Sequence, residues 1–154
     1  MPGRLNITWV DDTTLKIDLD AGTQTRLLHF NGTPPAPSQR TLQGYSVATW
    51  ETGAAGRGGF GGGGGRGGAP APPRWASLKV VTTNMTGGYL LSSRTSYSQN
   101  AVLTEHFTRH TDFGMEYLTV TAIVEDGATR ITSSTFKKEP NGSKFSPTGC
   151  EAVR

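Results

Sequence analysis

Apolar and polar residues alternate with a period of two through most of the chain. Leu5-Asn6-Ile7-Thr8-Trp9-Val10 and Thr14-Leu15-Lys16-Ile17-Asp18-Leu19-Asp20 each put their large side chains on one face of an extended segment, and Asp11-Asp12 between them favours a turn. The pair predicts a hairpin. After a second turn at Asp20-Ala21-Gly22, residues 23–30 form a third strand with Leu28 and Phe30 on one face and Leu27 and His29 on the other. Residues 31–39 hold Pro34, Pro35 and Pro37, which cannot sustain a regular ladder, and are expected to loop.

The alternation resumes at 44–51, with Tyr45, Val47 and Trp50, and again at 75–84. Residues 100–110 and 115–126 make the clearest hairpin, with Thr111-Asp112-Phe113-Gly114 as the turn. On its outgoing strand Leu118, Val120, Ala122 and Val124 share a face, opposed by Leu103, Glu105 and Phe107 or by the alternate set, depending on register. A last strand at 129–138 ends at Pro140-Asn141-Gly142. No window shows a capped 3.6-residue apolar period, so helix is minor. The pattern predicts an all-β protein: an antiparallel meander of about eight strands, curled into a lipocalin-like barrel or a strongly curved sheet.

Composition adds one interruption. Between 52 and 73 glycine, alanine and proline replace nearly everything that packs, with Arg57, Phe60 and Arg66 as the exceptions, and 11 of the chain's 21 glycines fall there. The segment is expected to be a flexible insert at a hairpin tip, within one domain over 1–154 that ends in an irregular tail at 139–154. The hydrophobic share of 34% is low, and the deficit lies mainly in the insert and the tail. A net charge of +3, scattered along the chain, is too weak to name nucleic acid or a membrane surface as a partner. No run of ~18 apolar residues predicts a membrane span, and residues 1–10 have no apolar stretch of the signal-peptide kind. Cys150, the single cysteine, excludes an intrachain disulfide; it reads as inert, as a partner for another chain, or as the orphan of a lost bridge.

The blocks Gly44-Tyr45-Ser46-Val47-Ala48-Thr49-Trp50-Glu51, a Gly/Pro-rich insert and Leu78-Lys79-Val80-Val81-Thr82-Thr83-Asn84 resemble a large family of functionally uncharacterised, secreted, β-rich bacterial proteins. Gly88-Tyr89-Leu90, the run from Tyr97 through Asn100-Ala101-Val102 to Phe107, Leu118-Thr119-Val120-Thr121, Ile123-Val124-Glu125-Asp126 and Phe136-Lys137-Lys138-Glu139-Pro140 match its recurring blocks in order. The resemblance implies an extracytoplasmic or secreted location, and it brings no activity, cofactor or catalytic residue with it. Members usually begin with a signal peptide and a further N-terminal segment, so this chain is expected to be a short version or to lack an N-terminal portion.

Candidate chemistry is sparse. His106 and His110 would share one face of a strand about 13 Å apart, too far to chelate one ion. His29 could approach either of them, and Glu105 could approach Arg109 or Arg130, with a cross-strand ion pair as the expected outcome. Asp11-Asp12, Asp18 with Asp20, and Glu125-Asp126 read as turn-capping carboxylates; neither a calcium loop nor a glycosidase pair is indicated. Gly142-Ser143, Ser92-Ser93 and Cys150 lack the surroundings of a nucleophile, and the glycine run lacks the ending of a phosphate loop. No metal, cofactor or catalytic residue is therefore expected.

The leading functional expectation is a non-enzymatic extracytoplasmic module that binds a small apolar ligand or a protein, or assembles with itself. Trp9, Tyr45, Trp50, Trp75 and Tyr89 are the residues most able to line an apolar cavity or an interface, although plain core is the simpler reading of their rings. Self-association would use the edge of the first strand or a patch around Trp9, since Leu5 to Val10 lacks the lysines or mid-strand proline that blunt an edge. The alternatives are a hydrolase-like enzyme with a site at one barrel mouth, and RNA binding through Arg57-Gly58-Gly59-Phe60 and Arg66-Gly67-Gly68.

Overall fold

The computed structural model describes residues 3–52, 76–90 and 95–149. The Gly/Pro-rich insert beyond Thr52, Trp75 and Cys150 lie outside these residues, as do the expectations attached to them.

The described residues form ten strands: β1 (Leu5–Asp11), β2 (Thr14–Leu19), β3 (Gln24–Phe30), β4 (Tyr45–Thr52), β5 (Ala76–Thr83), β6 (Gly88–Leu90), β7 (Thr95–Tyr97), β8 (Val102–Asp112), β9 (Met115–Glu125) and β10 (Thr129–Lys137). Eight of them form one sheet in the order β1-β2-β3-β4-β5-β8-β9-β10, and β6 pairs with β7 apart from it. The sheet curls into a half-barrel. Leu5 and Leu19 from one end of the strand order and Val120 and Phe136 from the other line the same cavity, which only a curled sheet allows. The strand-rich, curved architecture is the one the alternation predicts.

One step differs from a purely antiparallel meander. β4 runs parallel to β3, with Leu28 beside Ser46 and Phe30 beside Ala48. Residues 31–44, with their prolines, carry the chain back along the sheet before β4 begins, whereas a hairpin turn would have reversed it. Gly44, just before β4, has φ +68°, and a Cβ there would sit 2.4 Å from the Thr83 carbonyl oxygen, so the corner needs glycine. The β6–β7 hairpin is a second feature that the alternation did not predict, because each of its strands is only 3 residues long.

The turns follow local chemistry. The Asp11 carboxylate accepts hydrogen bonds from the Thr13 amide (2.8 Å) and hydroxyl (2.9 Å), which closes the β1–β2 turn. Asp112 pairs with Met115 across a two-residue β8–β9 loop, in which Phe113 (φ 45°) and Gly114 (φ 72°) are both left-handed, as a type I′ turn requires. The C-terminal tail makes one 3-10 turn (Pro140–Gly142) and returns to the β2–β3 turn, where the Thr148 amide donates to the Asp20 carbonyl at 2.8 Å.

The faces sort as the pattern predicts. Leu15, Ile17, Leu28, Ala48, Leu78, Val80 and Phe107 are buried together on the inner face, with Leu118 and Val120 packed against them. Leu103 pairs with Val124, Glu105 with Ala122 and Phe107 with Val120, which resolves the β8–β9 register in favour of the first set. A second small cluster of Met85, Ala101 and Val124, with Tyr97 and Leu103, ties the β6–β7 arm to the sheet.

Candidate functional site

A paired arginine and glutamate interrupt the apolar stretch of the inner face around Leu28, Leu103 and Phe107. Arg26 follows the β3 alternation that also buries Leu28, and Glu105 sits between Leu103 and Phe107 on β8. β4 and β5 separate these strands in the sheet, yet curling brings the side chains together across the concavity. Arg26 Nη1 donates to Glu105 Oε1 at 3.1 Å and Nη2 donates to Oε2 at 2.6 Å, a bidentate pair between residues 79 apart in sequence. The intervening strands supply Ser46 and Thr82, whose hydroxyls are 2.8 Å apart and accept weaker bonds from Nη2 at 3.4 and 3.3 Å. Only 16% of the Arg26 side chain and 9% of the Glu105 side chain meet solvent. Such burial is tolerable because each charge is neutralised and hydrogen-bonded by its neighbour.

The pair forms part of the wall of a cavity of about 630 Å³ within the half-barrel. Leu5, Ile17 and Leu19 come from one side of the curl, and Leu103, Val120 and Phe136 from the other. Met85, Tyr89 and Tyr97 line it from the β6–β7 arm and the segments beside it. Ala122, with the smallest side chain of its face of β9, leaves room opposite Glu105. Besides the charged pair, the described lining includes the neutral polar side chains Gln24, Gln43, Thr132 and Ser134.

The residues singled out by sequence divide among three places. Tyr89, 70% exposed, lines the cavity mouth. Trp9 and Trp50, each 54% exposed, lie on the inner face away from the cavity wall, on either side of Phe30, with ring centroids 5.3 and 5.9 Å from it. Tyr45 is on the outer face, stacked on His29 at 4.7 Å. It is odd-numbered in the strand where Trp50 is even, so alternation itself separates them. Trp75 is not among the described residues.

All three histidines are on the outer face. His29 stacks on Tyr45, His106 Nδ1 lies 3.2 Å from Glu51 Oε2, and His110 stacks on Tyr117. Among the described residues no three histidine, cysteine or acidic side chains gather as a metal set. Glu105 meets Arg26 instead of Arg109 or Arg130; Arg109 pairs with Glu116, which also takes Lys138. The hydrogen bonds from Lys138 and then Arg109 hold the Glu116 carboxyl below the ordinary glutamate range. Asp126 is likewise lowered by the Ser98 hydroxyl and amide, both at 2.6 Å, which fasten the β6–β7 arm to the β9–β10 turn. At Asp20, desolvation raises the carboxyl, but the Arg4 amide and guanidinium outweigh it and the net shift is downward.

Sequence reasoning gave Glu105 as a member of one of two alternative inward sets on β8, between which the register decides, and missed Arg26. The available signal was the same for both: a charged residue occupying an apolar phase of its strand. No helix among the described residues is long and apolar enough to cross a membrane. No protein-family model, curated protein or solved structure matches the chain.

Proposed function

We propose that the protein is a non-enzymatic binding module that holds a small, largely apolar molecule against the inner face of its curled sheet. The observation carrying this reading is the cavity of about 630 Å³, walled by aliphatic and aromatic side chains with a few convergent polar groups. Its size falls within the roughly 300–1,000 Å³ of small-molecule sites, and its make-up is of their kind. A hydrolase-like alternative has less support, because the cavity's carboxylate is bonded to the cavity's guanidinium and the histidines face the other way. Titration with N-phenyl-1-naphthylamine, a neutral apolar fluorophore, tests the reading. Saturable fluorescence enhancement in the wild type should be lost in Ala122→Phe, whose ring would fill the space opposite Glu105. Enhancement equal in both proteins would place the fluorophore elsewhere.

A second reading has its own observation. Among the described residues β1 pairs with β2 alone, and its Ile7, Trp9 and Val10 are all exposed. An open edge with apolar side chains accepts a further strand, and the proposed partner is a second copy of this chain. Light scattering at high micromolar concentration should detect an assembly that Ile7→Pro abolishes. A monomer, or an assembly indifferent to that substitution, rejects this reading.

A further inference from the structure

We infer that the cavity's occupant is an electrically neutral amphiphile, an apolar body carrying a hydroxyl or carbonyl group, in preference to a fatty-acid anion or a long-chain ammonium ion; this rests on the cavity being a binding site. Among the described residues that line it, Arg26 and Glu105 alone carry formal charge, and their charges cancel within one bidentate contact.

An entering carboxylate would need the Arg26 guanidinium, but Glu105 Oε2 already lies 2.6 Å from Nη2, so the new anion would sit beside an existing one. An ammonium ion drawn to Glu105 would meet Arg26 in the same way. Neither ion recovers the hydration it loses on entering an apolar cavity. A hydroxyl or carbonyl loses far less and finds partners. A carboxylate offers about four acceptor positions, and two of those on Glu105 are taken by Arg26. Gln24 and Gln43 in the lining offer an amide donor and acceptor each, and Thr132 and Ser134 add hydroxyls. The apolar residues around this cluster match an aliphatic or alicyclic body.

Competition against bound N-phenyl-1-naphthylamine at pH 7.5 tests the inference, with 1-decanol, decanoate and decylamine used below their micellar concentrations. At that pH decanoate is an anion and decylamine a cation. The expected result is displacement by decanol at concentrations at least about tenfold lower than by either ion, since one uncompensated charge outweighs one neutral head group. In Glu105→Gln the ratio of decanoate to decanol potency should shift at least about tenfold toward decanoate, and in Arg26→Gln the corresponding shift should favour decylamine. Circular dichroism establishes that each variant is folded, and the wild-type comparison stands without them.

Displacement by decanoate or decylamine within threefold of decanol, roughly the scatter of such comparisons, overturns the inference while leaving the cavity reading intact. Ratios unchanged in folded variants overturn it too. Failure of the fluorophore to bind the wild type removes both.

Discussion

Replacing Glu105 by leucine tests whether the Arg26–Glu105 pair is the electrostatic hinge of the inner face. Leucine is apolar and close in size, so packing against Leu103 and Phe107 changes little. Arg26 cannot shed its charge and would lose bonds of 3.1 and 2.6 Å while keeping only the 3.3–3.4 Å contacts to Thr82 and Ser46. Breaking a buried pair on one side costs about 3–5 kcal/mol. The adjoining cavity gives the 16% exposed guanidinium some access to water, which brings the expected loss to about 2–3 kcal/mol. Removing both charges, in Arg26→Met with Glu105→Leu, leaves no orphan and should recover most of that loss, a coupling of about 2 kcal/mol. Urea unfolding followed by tryptophan fluorescence measures all four corners of the cycle. A single variant within about 0.5 kcal/mol of wild type, or a double variant no more stable than Glu105→Leu, would refute the argument.

The β8–β9 register makes Val120→Asp put a charge against the buried Phe107 and lower stability by about 3 kcal/mol or more, whereas Thr121→Lys, on the outer face beside His106, should stay within about 1 kcal/mol; equal losses by chemical denaturation would contradict the sidedness. Phe113, 92% exposed at φ 45°, buries nothing at a position suited to asparagine, so Phe113→Asn should stabilise the fold by roughly 0.5–1 kcal/mol, read as a rise in the thermal midpoint. Asp20, Asp126 and Glu116 have lowered carboxyl pKa values, so their contribution is complete above the unfolded range near 4 and is lost as pH falls through the lower folded values. The thermal midpoint should therefore drop below about pH 4, and in Asp126→Asn that acid-side drop should shrink because one of these groups no longer titrates.

The strands, their turns and the face each residue takes were legible in the sequence, because alternation depends only on the extended backbone's twofold period and turn chemistry only on a few adjacent residues. Leu15, Ile17 and Leu28 could be assigned to one side of their strands without any knowledge of what they pack against, and Asp11 and Gly114 announced their turns, whereas the side taken by Phe107 waited on the β8–β9 register. The same period already set Tyr45 apart from Trp50. The 3-residue strands β6 and β7 were too short to show a period at all. What the tertiary structure decided was which strands are neighbours. The parallel step from β3 to β4 follows from the path taken by 31–44, and the placing of β1 and β10 at the two ends of the described strand order follows from how the sheet curls. The candidate site lies at that level. Arg26 and Glu105 each break an apolar phase in their own strands, but strand order and curvature bring them together, because a pair 79 residues apart forms only after every intervening ladder has taken its register.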